Sequence, residues 1–328
     1  MSSAADTIAF MGLGVMGYPM AFNLVKGLGP SKSFLICDVN QEALDKFQAA
    51  VKGIGNVSVI QNGYEAAKAA DTVITILPTA AVVDAVYLDP KTGILAGAVA
   101  AGENGTPSNK LIMECGTIET ATIKKVAKAV EETSAAKLAN TLSFVDAPVS
   151  GGPMGAIDGS LTFMVGVPSP EVFPRAETLL KHMGKSIFRC GDVGAGTAFK
   201  IINNYLSAIT SVAAAEALNI GVKAGLDPKL LSDVINVSGG QCWVMSKANP
   251  VPGVMPNVPS SNGYAGGFRI ELCEKVLGMG SKLAEDVGAR TVLDGPAKAA
   301  FQEAMGDERY KGKDARVVYK WLNESERR

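Results

Sequence analysis

With 328 residues, 47% of them hydrophobic, and a formal net charge of −1, the chain is long enough for two domains. It has no basic excess for nucleic acid or an anionic membrane surface. The five cysteines, Cys37, Cys115, Cys190, Cys242 and Cys273, are scattered and lack C-x-x-C spacing, so free thiols in a reducing, intracellular compartment are expected rather than disulfides or a metal site. The single histidine, His182, argues against a Ser–His–Asp triad or a His-ligated metal and leaves acid–base work to another residue type. No apolar run free of charges and turn residues is long enough to span a bilayer. With the first strand beginning so early, no signal or transit peptide is expected within this sequence.

Taken in chain order, Thr7–Met11 reads as a buried parallel strand, and residues 18–25 read as a helix. Between them Gly12-Leu13-Gly14-Val15-Met16-Gly17 has the G-x-G-x-x-G spacing. Gly12 would make the tight turn, Gly14 would let a pyrophosphate approach, and Gly17 would let helix and strand pack. The loop N–H groups and the positive end of the helix dipole would then face phosphates. Asp38 ends a second apolar run, 34–37, where a carboxylate accepts from a ribose diol and repels a 2′-phosphate. No Arg follows in Val39-Asn40-Gln41, so NAD is expected over NADP. A glycine turn without a ligand is the competing reading.

Further strands are expected at 57–60, 72–77, 110–114, 143–146, 161–165 and 186–188, with helices at 41–51 and 119–132 and an exposed loop at 102–109. His182 reads as the last turn of a helix. After residue 192 the strand signals stop. Helices follow at 197–222, 228–237, 278–287 and 314–322, and Pro250, Pro252, Pro256 and Pro259 impose a loop on 249–259. The fold class is therefore α/β: a doubly wound, Rossmann-type parallel sheet in a nucleotide-binding domain, 1–192, followed by an all-helical domain, 193–328.

Ligands of such sheets bind beyond the carboxyl ends of the strands. There the Leu77-Pro78 backbone and the Thr117 hydroxyl are candidates for the nicotinamide-ribose half. Ser150-Gly151-Gly152 offers a hydroxyl beside unhindered N–H groups, a small anion nest, with an ordinary glycine turn as the alternative. Lys200 and Asn204 stand at i and i+4 on the long helix. A solvated stripe is the plain reading, but apolar flanks argue against a free solvent face. Lys275 lies on a later helix. Two Y-x-x-x-K matches, Tyr64/Lys68 and Tyr87/Lys91, fall too early for a short-chain dehydrogenase and are read as chance.

The segment 10–24 resembles the N-terminal signature of the β-hydroxyacid dehydrogenases. Asp146-Ala147-Pro148-Val149-Ser150-Gly151-Gly152 resembles their substrate motif, and Gly194-Ala195-Gly196 with Lys200 and Asn203-Asn204 their catalytic-lysine motif. Gln241-Cys242-Trp243, 249–255 and 264–268 are similar to the branch acting on 3-hydroxyisobutyrate. The resemblance implies NAD held by Gly12, Leu13, Gly14, Val15, Met16, Gly17, Asp38, Leu77, Pro78, Thr117 and Lys275. It also implies Lys200 and Asn204 in catalysis, and Ser150, Gly151, Gly152, Lys200 and Asn204 on substrate. Oxidation of a small 3-hydroxy acid, as in valine breakdown, is the implied reaction, in a homo-oligomer that is mitochondrial or cytoplasmic. Reduction of tartronate or succinic semialdehyde, and a catalytically silent NAD-binding module, are the alternatives. A 6-phosphogluconate dehydrogenase fits less well, since the C-terminal half lacks a clear basic cluster. Three positions depart from the pattern: Gly116 stands for a serine, Val82 for an asparagine and Val276 for an aspartate.

Overall fold

A strand buried on both faces needs apolar residues at every position, and the first apolar run meets that demand in an alternating way. Ile8 and Phe10 enter one core cluster, with Met20, Leu24, Phe34 and Phe47. Ala9 and Met11 enter another, with Val73, Tyr87, Ile112 and Phe144. The computed structural model describes residues 7–102, 109–135 and 141–324. It divides into two compact units, Met1–Lys200 and Ile201–Arg328. Residues 103–108 of the expected loop lie outside the described residues.

Among the described residues the first unit holds nine strands: β1 (Thr7–Met11), β2 (Ser33–Cys37), β3 (Asn56–Val59), β4 (Thr72–Thr75), β5 (Asn109–Glu114), β6 (Thr141–Asp146), β7 (Val149–Ser150), β8 (Leu161–Gly166) and β9 (Gly184–Gly191). Six of them run parallel in the order β3-β2-β1-β4-β5-β6, the doubly wound order. The sheet is not parallel throughout: β8 is antiparallel to β6 and β7, and β9 pairs parallel with β8. Its helices are α1 (Gly17–Leu28), α2 (Gln41–Ala50), α3 (Gly63–Ala69), α4 (Ala80–Leu88), α5 (Ile94–Gly102), α6 (Thr120–Ala135), α7 (Gly152–Ile157) and α8 (Phe173–Leu180). Helix α8 ends two residues before His182, where a helix end is expected, whereas α3, α4, α5 and α7 are not among the expected elements. Most are short, and Ala-rich α5 meets α3 so closely that a Cβ on Gly97 would lie 2.2 Å from the Tyr64 carbonyl oxygen.

From α9 (Ala195–Lys223) onward the chain is helical, with α10 (Pro228–Asn236), α11 (Trp243–Lys247), α12 (Ile270–Asp286), α13 (Asp294–Met305) and α14 (Val318–Glu324). The second unit is centred on Leu218, Tyr264, Phe301, Tyr310 and Tyr319. Its proline-rich loop is tied down. Asn249 donates to the Ser232 hydroxyl at 2.9 Å and accepts from Val251 N at 3.0 Å, while Tyr264 donates to the Pro250 carbonyl at 2.7 Å. Helix α12 begins at Ile270 rather than 278. Within it Gly280 is a packing site, since a Cβ there would fall 2.4 Å from the Tyr205 ring. Among the described residues α9 alone is long and apolar enough to cross a membrane by length and composition, although it carries Lys200, Asn203, Asn204 and Glu216.

His182 lies two residues beyond α8, and its imidazole rests on α1, where a Cβ on Gly27 would stand 2.2 Å from Nδ1. Gly27→Ala is therefore expected to cost about 1–3 kcal/mol by overpacking, and adding His182→Ser should recover most of that loss. Chemical denaturation of both variants checks this, and an undisturbed midpoint in Gly27→Ala would refute the contact.

Candidate active site

The first βα turn shows three glycines with three physical reasons. Gly12 has φ +98°, and a Cβ there would meet the Ile76 carbonyl oxygen at 2.4 Å. A Cβ on Gly17 would lie 1.9 Å from the Gly12 carbonyl oxygen, whereas Gly14 has nothing within 4 Å. The middle glycine thus faces open space, and α1 begins with no side-chain cap and no acidic residue in its first turn. Uncapped N–H groups beside an open backbone are what a pyrophosphate requires, so the loop fits the dinucleotide.

Asp38 follows β2 directly and holds the loop in place, accepting from Leu13 N at 2.5 Å through Oδ2 and from Asn40 N at 2.8 Å through Oδ1. A carboxylate has about four acceptor sites, so lone pairs remain for a diol. Val39 beside it is fully exposed, and Val15 of the loop is largely so, while Leu13 is buried. A groove of about 740 Å³ runs along Leu13, Gly14, Val15, Tyr18, Asn40, Pro153 and others. It joins the glycine loop to the start of α7, and Asn23 of α1 donates to the Ala156 carbonyl at 2.8 Å. The structure therefore brings the Ser150-Gly151-Gly152 turn to the same side of the sheet as the glycine loop. Gly151 and Gly152 take positive φ, 135° and 64°, are exposed, and open α7 with no side-chain cap.

Leu77 is buried and Pro78 exposed just past β4; Thr117 is half-buried just past β5. Between these loops lies a residue that sequence reasoning missed. Glu114, fully buried at the end of β5, accepts from Gly116 N at 2.7 Å and Leu77 N at 3.4 Å. Burial pushes it up to about 7. Thr79 caps α4 by accepting from the N–H of Val82, whose side chain is part-exposed.

A second missed residue is Asp146 at the end of β6, also fully buried, which accepts from Gly194 N at 2.7 Å and Thr197 N at 2.6 Å. It anchors the first turn of α9 and so positions the helix that carries Lys200. Burial pushes Asp146 upward against those two bonds. The approach is close enough that a Cβ on Gly196 would meet the Met164 carbonyl oxygen at 2.2 Å, which accounts for the glycine. One turn on, Lys200 is 8% exposed, and loss of hydration alone lowers its ammonium to about 8. Asn204 follows on the same face of α9, half-buried, beside Asn203. Lys275 is half-buried on α12 in the second unit, and Val276 next to it packs with Ile201 and Met279. That apolar seam gives the valine a packing role.

Residues 7–191 match the domain family described as the NAD binding domain of 6-phosphogluconate dehydrogenase. Residues 194–322 match that described as NAD-binding of NADP-dependent 3-hydroxyisobutyrate dehydrogenase. The mitochondrial 3-hydroxyisobutyrate dehydrogenase of Homo sapiens is 39% identical over 323 residues, covering 97% of this chain and 87% of its own. An NAD-dependent L-serine dehydrogenase of Pseudomonas aeruginosa is 37% identical over 313 residues, covering 95% and 96%. A solved structure of the Mycobacterium tuberculosis 3-hydroxyisobutyrate dehydrogenase with L-serine superposes with a TM-score of 0.82 at 34% identity, covering 97% of this chain and 99% of that one. With an open glycine loop and two matched domains in one chain, this protein belongs to the β-hydroxyacid dehydrogenase family and is an NAD-dependent oxidoreductase.

Proposed function

We propose that the chain oxidises 3-hydroxyisobutyrate to methylmalonate semialdehyde, the chemistry of valine breakdown, and that Lys200 is its catalytic residue. The observation that carries this reading is a lysine nearly removed from water, its helix anchored by Asp146, with Asn204 one turn on. Gly12, Leu13, Gly14, Val15, Met16 and Gly17 hold the pyrophosphate, Asp38 the adenosine ribose, and Leu77, Pro78, Thr117 and Lys275 the nicotinamide side. Ser150, Gly151 and Gly152 receive the substrate carboxylate, and Asn204 hydrogen-bonds its hydroxyl. NAD, when bound, accepts the hydride from the carbinol carbon. Lys200, as the neutral amine, takes the hydroxyl proton; in reduction its ammonium returns it. Two similar proteins bear on a second substrate, L-serine: one is an L-serine dehydrogenase and the other was solved with L-serine. It too is a 3-hydroxy acid, with an ammonium where 3-hydroxyisobutyrate has a methyl. The exposed apolar side chains Phe199, Ile202, Leu206 and Ile220 along α9 support a homo-oligomer, with a second copy as their cover.

Lys200→Ala should lower kcat by about 10²- to 10⁴-fold with NAD affinity held within a few-fold. Lys200→Arg should be nearly as poor, because a guanidinium stays protonated. Deprotonation is the activating event for oxidation, so the wild-type rate should rise through a pH near 8 and flatten above it. That limb should vanish in both variants. Retention of more than about a tenth of kcat in Lys200→Ala, well outside the range for an acid–base group, would move the proton transfer elsewhere.

NAD should bind at least about tenfold tighter than NADP, a difference of about 1.4 kcal/mol. Asp38→Ser with Val39→Arg should narrow the gap, at some cost in loop order because Leu13 N loses its acceptor. Fluorescence titrations measure both constants, and equal values in the wild type would remove Asp38 from the adenosine ribose. Among substrates, 3-hydroxyisobutyrate should exceed its methyl ester and lactate in kcat/KM. An ester lacks the charge for the nest, and lactate places the carbinol carbon one bond too close to the carboxylate. A higher kcat/KM for L-serine would transfer the assignment to serine.

A further inference from the structure

Glu114 is the last residue of β5, and its register partner is Thr75, the last of β4. Beyond Cys115 N to Thr75 O, at 2.7 Å, the ladder between these strands ends, and the chain departs into the Leu77-Pro78 and Gly116-Thr117 loops. Here the Glu114 side chain takes over. Its Oε1 accepts from both Gly116 N, at 2.7 Å, and Leu77 N, at 3.4 Å, while Oε2 meets the Thr75 hydroxyl. That hydroxyl in turn lies 2.6 Å from the Tyr87 hydroxyl of α4. Glu114, Thr75 and Tyr87 are all fully buried, so this carboxylate has no access to a reacting atom and is not a general base. Oε1 accepts in either protonation state, and a proton on Oε2 points at Thr75. The titratable neighbours Tyr87 and Cys115 are pushed up by burial and stay neutral.

The same space explains position 116. A Cβ there would stand 2.5 Å from Glu114 Oε1 and 2.6 Å from the Leu77 carbonyl oxygen. Any side chain at 116 must expel the carboxylate or push the two loops apart. We propose that Glu114 and Gly116 form a matched pair that sets the spacing of these two loops, with Glu114 as a positioning residue for the nicotinamide side of NAD. The proposal rests on the assignment of Leu77, Pro78 and Thr117 to the cofactor.

Five variants of the full chain test it: Gly116→Ala, Glu114→Asp, their combination, Glu114→Gln and Glu114→Leu, each read by Tm and by kcat and KM for NAD. Gly116→Ala should lower Tm and raise KM for NAD about tenfold, with a smaller change in kcat, since misplaced contacts cost binding geometry. Glu114→Asp withdraws the carboxylate by one methylene, so the combined variant should suffer less than the two single changes multiplied together. Glu114→Gln keeps an acceptor oxygen and should hold KM within a few-fold, whereas Glu114→Leu should raise it as Gly116→Ala does. Independent effects of the two single changes on Tm, with no rescue in the combination, would overturn the pairing itself. Coupling in Tm with an unmoved KM for NAD would instead overturn the positioning role and remove these loops from the cofactor site.

Discussion

A carboxylate near or inside the protein interior is tolerated only where donors are aimed at it, and three strands of the first unit end on that constraint. Beyond β2, Asp38 takes Leu13 N and Asn40 N. At the end of β5, Glu114 takes Gly116 N and Leu77 N; at the end of β6, Asp146 takes Gly194 N and Thr197 N. In each case the acceptor sits where the hydrogen-bonded ladder of the sheet runs out, and the donors belong to loops that the ladder no longer holds. The carboxyl edge of a parallel sheet, where ligands of this architecture bind, is therefore organised by side-chain acceptors. Rigid loops there matter because a binding constellation is useful only when held to within about half an ångström.

Each buried carboxylate also dictates glycines. Glu114 leaves no space for a Cβ at Gly116, and Asp146 leaves none at Gly166, where the contact to Oδ1 would be 2.2 Å. Gly196 lets α9 descend onto the Met164 carbonyl and so bring Thr197 N within reach of Asp146. A glycine next to a site is commonly explained by the ligand that must approach it. Here Gly14 and Gly152 have that freedom, with nothing near their missing side chains, whereas Gly12, Gly17, Gly116, Gly166 and Gly196 are fixed by the protein's own oxygens. The glycine at 116 is thus a packing consequence of the long acid at 114 and need not report on the substrate.

This distinction marks where sequence reasoning stops. The first six strands and the glycine loop were legible because their signals are local: an apolar run, a turn residue, a helix start. Asp38 was legible because it stands at a fixed distance from the glycines. Glu114 and Asp146 were not, since their partners lie up to 39 and 51 residues away and nothing in the flanking residues distinguishes a buried acid from a strand-end charge. The two-residue β7 escaped, and so did the direction of β8, although a strand at 161–165 is expected, because strand direction is decided by pairing. Helix α12 runs from Ile270, so it takes in Lys275 together with most of the expected 278–287 stretch, and Gly280 within it is small where it seats Tyr205.

The lone-histidine composition has a further consequence for the chemistry. A protein that handles a hydroxyl proton near neutral pH needs a group that titrates there, and a hydrated lysine, near 10.4, is too basic to release its proton readily. Desolvation is the direct way to bring it down, and Lys200 is desolvated on the turn of α9 that follows the Asp146 anchor. A buried ammonium costs the fold stability at every pH below about 8, and the cost fades as pH rises toward the free lysine value. In the proposed reaction a substrate carboxylate would pull the lysine back toward its charged form. The two opposing effects would leave an amine able to act in either direction, with reduction favoured below its titration and oxidation above it.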